Sequence, residues 1–231
     1  LNTNWSPASV PGLGAVITIP SGTVRYPKLT EDIVLDNATY KGSLTIENGA
    51  SLNTNSYSLT VQTITNEGSL VLDGGSITAA IINNNTVEIS DGSISGTKTN
   101  GSGSKVVYKG ADPTNPVWGT LYNDLEISSG KVEFTDAVTV NRNLINNAET
   151  YIANAKSINV KGDVTSTGDI TGGGTLNFNG SSDQTFAPNN MSYPAVTTTS
   201  DGSLTISGDL NAVSVNTTCT TYIADSIITT G

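Results

Sequence analysis

An all-β chain wound into a right-handed parallel β-helix is the fold this sequence predicts, and three observations carry the prediction. Short alternating runs, among them Leu44-Thr-Ile46, Leu59-Thr-Val61, Leu70-Val-Leu72 and Val87-Glu-Ile89, are each closed within a few residues by Gly, Asn or Asp, which is the signature of strands and turns. The phrase Leu70-Val-Leu72-Asp-Gly-Gly75-Ser-Ile77 returns soon afterwards as Val87-Glu-Ile89-Ser-Asp-Gly92-Ser-Ile94, with its apolar positions at one constant interval. A longer stretch, Lys105 to Val160, is largely written again from Thr175 to Ile228. Lys105-Val-Val-Tyr-Lys-Gly110 matches Thr175-Leu-Asn-Phe-Asn-Gly180, Tyr122–Ile127 matches Tyr193–Thr198, Lys131–Phe134 matches Ser203–Ile206, and Thr150-Tyr-Ile-Ala153 recurs as Thr221-Tyr-Ile-Ala224, in one order and with nearly constant spacing. No window keeps helical spacing long enough for a helix, so almost none is expected.

A unit as short as the one from Leu70 to Thr86 buries too little apolar surface to offset roughly 1–2 kcal/mol of backbone entropy per ordered residue, so it must stack on its neighbours. Stacking puts Leu44, Ile46, Leu70, Leu72, Val87 and Ile89 inside, in aliphatic columns with a rise of about 4.8 Å. Each buried Leu or Ile contributes roughly 1.5–3 kcal/mol. The competing fold is a tandem pair of antiparallel sandwiches, which the long duplication alone would permit. The short phrase argues against it, because sandwich strands need not resemble one another.

In chain order, residues 1–22 read as an irregular cap. Pro7 and Pro11 interrupt any ladder, and the first strand signal is Ala15-Val-Ile-Thr-Ile19, closed by Pro20-Ser-Gly22. Residues 23–103 read as short-period coils. Leu44-Thr-Ile46-Glu-Asn-Gly49-Ala-Ser-Leu52 is taken as an earlier copy of the phrase at Leu70 with one position added, and Asn83-Asn84-Asn85 as a corner. Thr97–Gly103 and Asp112–Pro116 read as longer excursions. Residues 104–231 then hold the duplicated units, 104–173 and 174–231, as a continuation of the same solenoid. Each is about three coils with one excursion, Ala111–Trp118 and Ser181–Asn190. With no Met at residue 1 and a second copy that stops short of the first, the chain reads as a mature form or excised piece whose natural protein continues past Gly231.

Net charge is −10, with ten Lys and Arg against 20 Asp and Glu. A nucleic-acid surface and an anionic membrane both need clustered positive charge, so neither partner is expected, and no apolar run approaches the length of a membrane span. Charged residues are 13% of the chain, while Ser, Thr and Asn together make up 85 of 231 residues. Such polar uncharged residues satisfy turn backbone without charge and suit an exported surface protein. The single cysteine, Cys219, excludes an internal disulfide framework and reads as a small packed side chain.

No histidine is present, which removes His-based triads, zinc sites and pH switches. Gly172-Gly-Gly174 lacks the Lys-Ser/Thr of a phosphate loop, and Thr197-Thr-Thr199 stands out of register with other Thr pairs. Parallel β-helices also carry polysaccharide lyases and glycoside hydrolases. Only Arg25 and Arg142 could serve a lyase as an arginine base, and Arg142 is flanked by amides in Val140-Asn-Arg-Asn143. Hydrolysis needs two carboxylates facing a cleft. Asp73 and Asp91 should lie near each other on successive coils, either as turn formers or as a bridge for a calcium ion, the one cofactor considered. Tyr108, Trp118 and Tyr122, with counterparts near Phe178, Phe186 and Tyr193, read either as core plugs or as a platform for stacking a glycan.

Asn4-Trp-Ser6, Val10-Pro11, Ala15-Val-Ile-Thr-Ile-Pro-Ser-Gly22, Tyr26-Pro27 and Leu44–Leu52, with later coils such as Gly174–Gly180 and Ser203–Leu210, resemble the recurring phrases of exported cell-surface β-helix proteins of Bacteroidota-type bacteria, often described as adhesin-like. The resemblance implies a right-handed parallel β-helix in a large surface or secreted protein and brings no catalytic residues. Together these readings lead to an extracellular structural or adhesive segment that binds a glycan or a host or cell-surface protein. The alternative is a polysaccharide-degrading lyase or hydrolase. A groove where carboxylates or a basic residue converge would mark the enzyme, and turn Asp and Asn scattered along the corners would mark the stalk.

Overall fold

The computed structural model describes residues 11–22, 25–110 and 118–229. Residues 1–10, with the Asn4-Trp-Ser6 element of the cap, residues 111–117 of the first excursion, and residues 230–231 lie outside the described residues. Among those described, every regular element is a β-strand, and strands a whole coil apart in sequence pair in parallel. This is the predicted parallel β-helix, not a tandem of antiparallel sandwiches. The chain divides into two units, Leu1–Lys105 and Val106–Gly231.

In the first unit each coil has three faces. One stacks Ser51–Asn53, the start of Ser69–Asn83 and the start of Thr86–Ser95, so that Leu52 lies beside Leu70 and Leu70 beside Val87. The second stacks Ile33, Leu59, Ile77 and Ile94, and the third stacks Ile17, Leu44, Ile64 and Ile81. The predicted short-period register holds on both sides of the Asp73 corner, with Leu70, Leu72 and Ile77 set against Val87, Ile89 and Ile94 and the irregularity confined to the corner itself. All six expected inward side chains are buried. The phrase at 44–52 does not stack as a copy on the phrase at 70, because Leu44 lies on the third face beside Ile64, whereas Leu70 lies on the first face beside Leu52. The Thr97–Gly103 excursion is also corrected: Lys98–Asn100 is a strand paired with Ile81–Asn83.

Corners in this unit bring one coil hard against the next. At Gly75 the backbone takes φ +72°, and a Cβ there would run into the Tyr57 carbonyl of the coil before, so Gly meets both demands. The turn is held from inside by Thr54, whose buried hydroxyl accepts the Asp73 N–H at 3.0 Å and donates to the Gly74 carbonyl at 3.0 Å.

The second unit also has three faces. One runs through Leu121–Tyr122, Val138–Val140, Ser157–Val160, Thr175–Phe178, Ser192–Thr198, Leu210–Thr217 and Ile227–Thr229. The next runs from Lys105–Tyr108 through Asp124–Ile127, Leu144–Asn146, Val164–Ser166, Gln184–Ala187, Leu204–Ile206 and Thr221–Ile223. The third holds Lys131–Phe134, Glu149–Ile152 and Ile170–Thr171. Strand Gln184–Ala187 falls inside the Ser181–Asn190 segment expected to be an excursion, because Phe186 takes the column position after Val164.

The duplicated phrases therefore do not occupy equivalent places. Val106 and Tyr108 lie on the face of Val164, whereas Leu176 and Phe178 lie on the face of Ile158. Likewise Phe134 and Ile152 share the three-stranded face, but Ile206 and Ile223 lie on the face of Leu144. Coil length varies in this unit, the step from Leu204 to Thr221 being shorter than that from Val164 to Phe186. The interval from Lys105–Tyr108 to Thr175–Phe178 spans three whole coils plus two of the next three faces. Any face accepts the same inward-outward alternation, so the repeated text packs equally well after this shift.

Amides also enter the core. Asn66 and Asn83, fully buried and paired in register, form a ladder in which Asn66 Nδ2 donates to Asn83 Oδ1 and to the Thr86 carbonyl, both at 2.8 Å. Asn66 Oδ1 in turn accepts the Gly68 N–H. Asn146 and Ser166 repeat the device in the second unit at 3.0 Å. An amide here satisfies corner backbone groups that a Leu would leave bare. Asn66→Ala is expected to destabilise the chain by about 1–3 kcal/mol, since it strands buried partners; a denaturant midpoint unchanged from the wild type would contradict the ladder.

Candidate functional site

The three aromatic residues singled out in the sequence come together, but inside. Tyr122 is 0% exposed, Trp118 2% and Tyr108 6%. The hydroxyls of Tyr108 and Tyr122 are hydrogen-bonded at 3.0 Å, Tyr122 Oη donates to the Gly119 carbonyl at 2.8 Å, and the Trp118 N–H donates to Tyr108 Oη at 3.3 Å. Burial pushes both phenols well above their ordinary range. Their counterparts form a second interior cluster, with ring centroids 5.2 Å apart for Phe178 and Phe186 and 4.9 Å for Phe186 and Tyr193. A platform for sugars needs an exposed ring face, and this geometry gives these residues the role of core plugs instead.

Asp73 and Asp91 are register partners, as their phrase implied, and both are exposed. Asp91 Oδ1 accepts the N–H of its neighbour Gly92 at 2.6 Å, a turn-forming contact. Among the described residues no three His, Cys, Asp or Glu side chains gather where they could hold a metal ion, so a calcium ion bridging Asp73 and Asp91 would have two carboxylates and would draw its remaining oxygens from backbone and water. Arg142 has amide neighbours in sequence but a carboxylate in space: Asp124 Oδ2 lies 3.3 Å from its guanidinium.

The chemistry that sequence reasoning missed is what the acidic residues do at the corners. Asp124 Oδ1 accepts the Asn143 N–H at 3.0 Å, Asn143 Oδ1 accepts the Asp163 N–H at 3.0 Å, and Asp163 Oδ1 accepts the Thr185 N–H at 2.7 Å. Asp183 Oδ1 continues the line, accepting both the N–H and the hydroxyl of Ser203 at 2.9 Å. Asp169 does the same for the Ser192 N–H, Asp209 for the Ser226 N–H, and Asp32, in the first unit, for the Ser58 N–H. Each side chain fastens its coil to the start of a strand in the next. The signal was in the sequence: Asp32, Asp124, Asn143, Asp163, Asp169 and Asp209 each stand one residue before an inward Ile, Leu or Val.

Outward side chains supply the remaining chemistry. Thr150-Tyr-Ile-Ala153 turns Thr150 and Ile152 inward and Tyr151 outward, and its copy turns Tyr222 outward at 59% exposure. Beside half-buried Tyr151, Lys131 Nζ lies 5.7 Å from the ring centroid and 2.7 Å from Glu149 Oε1, with Glu133 the register neighbour of Tyr151. The Glu149 hydrogen bond holds the Lys131 ammonium above its usual range. A separate shallow groove of about 160 Å³ begins one coil later at Thr171, the register partner of Tyr151, and is lined further by Gly172, Ser192, Tyr193, Asn211 and Val213. An aromatic ring flanked by an ion pair can stack on and hydrogen-bond a polar ring such as a sugar.

No family model, curated protein or solved structure matches this chain.

The Ser203 N–H and hydroxyl hold the Asp183 carboxyl below its usual range. A carboxylate with a depressed value stabilises the fold above the unfolded-state value, and that contribution is lost as pH falls through the folded one. Asp183→Ala should therefore melt below the wild type at neutral pH, and the gap should close as the pH is lowered past the ordinary carboxylate range. A gap that persists unchanged in acid would show that the charged clasp contributes nothing.

Proposed function

We propose that this chain is a structural and adhesive segment of a bacterial cell-surface or secreted protein, presenting a glycan-binding flank rather than a catalytic cleft. The observation that carries the reading is the use of carboxylates. Asp32, Asp124, Asp163, Asp169, Asp183 and Asp209 accept backbone N–H groups of the following coil. They are thereby spread along corners instead of converging as the pair that glycoside hydrolysis requires. The guanidinium of Arg142 is occupied by Asp124, which does not suit the base of a lyase. The resemblance to exported surface β-helices and the uncharged polar composition point to the same setting. The flank offered to a ligand is the strip around Tyr151, where Lys131, Glu149 and Glu133 frame a ring.

The test pairs a depolymerisation assay with a glycan-binding array, using one preparation. The expected outcome is no cleavage of any polysaccharide, together with retention of at least one glycan class that Tyr151→Ala weakens roughly tenfold, the scale of one lost aromatic contact. Turnover of any polysaccharide would overturn the structural reading. Binding that Tyr151→Ala leaves unchanged would remove the flank.

A further inference from the structure

We propose that Asn48 is a site of spontaneous deamidation, the one exposed modification-prone pair that the fold leaves unguarded among three candidates. The reaction is attack of a backbone nitrogen on the preceding Asn side chain. The Gly49 nitrogen bonds to Cγ of Asn48, ammonia leaves, and the succinimide ring is opened by water to give aspartate or its β-linked isomer. The sum is Asn plus water giving Asp plus ammonia, with no other reactant. Glycine favours it because no Cβ obstructs the approach and its backbone samples the required angles freely.

The chain holds three Asn-Gly pairs, Asn48-Gly49, Asn100-Gly101 and Asn179-Gly180, and the structure treats them differently. In two of them the attacking nitrogen is occupied. The Gly101 N–H donates to the Asn83 carbonyl at 2.7 Å, and the buried Gly180 N–H donates to Gln184 Oε1 at 2.9 Å. In addition, Cβ positions at Gly101 and Gly180 meet Asn84 and the Lys161 carbonyl, whereas nothing lies within 4 Å of the one at Gly49. Asn48 and Gly49 are both exposed, and neither the Asn48 side chain nor the Gly49 N–H has a hydrogen-bond partner among the described residues. They form the middle of a turn closed by the Ala50 N–H and the Glu47 carbonyl at 2.8 Å, with Gly49 at φ +81°.

Conversion would have local consequences. A new carboxylate would enter the open groove that Asn48 shares with Ser51, Ser69, Asn85, Thr86 and Glu88, beside Glu47, whose Oε2 already accepts the Ser21 N–H at 3.0 Å. The β-linked product also lengthens the main chain by a methylene in the turn that joins Ser43–Ile46 to Ser51–Asn53, which loosens the corner on which Leu52 is seated. The groove thus gains negative charge with the age of the protein.

The experiment is prolonged incubation of the purified folded chain in warm, mildly alkaline buffer, with peptide mapping by mass spectrometry that resolves the three pairs. Asn48 is expected to convert roughly tenfold faster than Asn100 or Asn179, the factor set by having no hydrogen bond to break before attack. In denaturant the three rates should converge. An Asn48→Gln chain should accumulate no acidic form over the same interval. Equal rates in the folded chain, faster loss at Asn100 or Asn179, or an intact Asn48 would each overturn the proposal.

Discussion

Vertical register between coils is the constraint on which everything else in this molecule rests. Each strand satisfies its backbone groups only through the strands a coil before and a coil after, so every corner must bring the chain back to the same height and phase. A slip by a single position would turn a whole inward set outward. Leu70 beside Val87, Leu72 beside Ile89 and Ile77 beside Ile94 show the result, a core built of columns in which each side chain packs on its register neighbour. Corners are the weak points of such a winding, because ladder bonds end there and buried polar groups without partners are costly. The chain answers with glycine where coils touch, with buried Asn and Thr that bond across coils, and with Asp at the surface.

That division explains the composition. An acidic protein would ordinarily suggest cation binding or electrostatic steering. In this chain much of the acid has a structural task, since an Asp placed just before an inward aliphatic residue reaches forward to the next coil's N–H, as from Asp163 to Thr185. Lys and Arg enter as partners at the rim, with Arg142 on Asp124 and Lys131 on Glu149. Between the clasps the outer faces carry Tyr151 as a ring framed by Lys131, Glu149 and Glu133.

How much of this could be read from the amino acids depends on what repeats. Where consecutive coils have equal length the sequence states the register outright, and the short phrase placed Leu70, Leu72, Val87 and Ile89 correctly. Where coil length changes, the text misleads. Leu44 and Leu52 belong to two faces whose steps to the next coil differ, the one reaching Ile64 and the other Leu70, so no single shift aligns their phrase. The duplication misleads differently: alternation of period two fits every face, and similarity of wording carries no information about which face is used. Aromatic residues showed the same ambiguity, because Tyr122 and Tyr151 are both ringed by alternating neighbours and only their phase in the strand sends one to the core and the other to solvent. The Asx clasps were legible in principle, as a polar residue one step ahead of each inward aliphatic, but they look like ordinary turn residues until the next coil is in place.

The most direct measurement is disulfide capture of the register in a Cys219→Ser background. Val71 and Glu88 are register partners, which puts their Cα atoms about 4.8 Å apart, within the span a disulfide needs, whereas Val71 and Thr86 are out of phase by two positions and separated by more than about 7 Å. The account predicts that Val71→Cys with Glu88→Cys oxidises readily in the folded chain, and that Val71→Cys with Thr86→Cys does not. Efficient bridging of the second pair, or failure of the first in a folded protein, would contradict the in-register parallel winding.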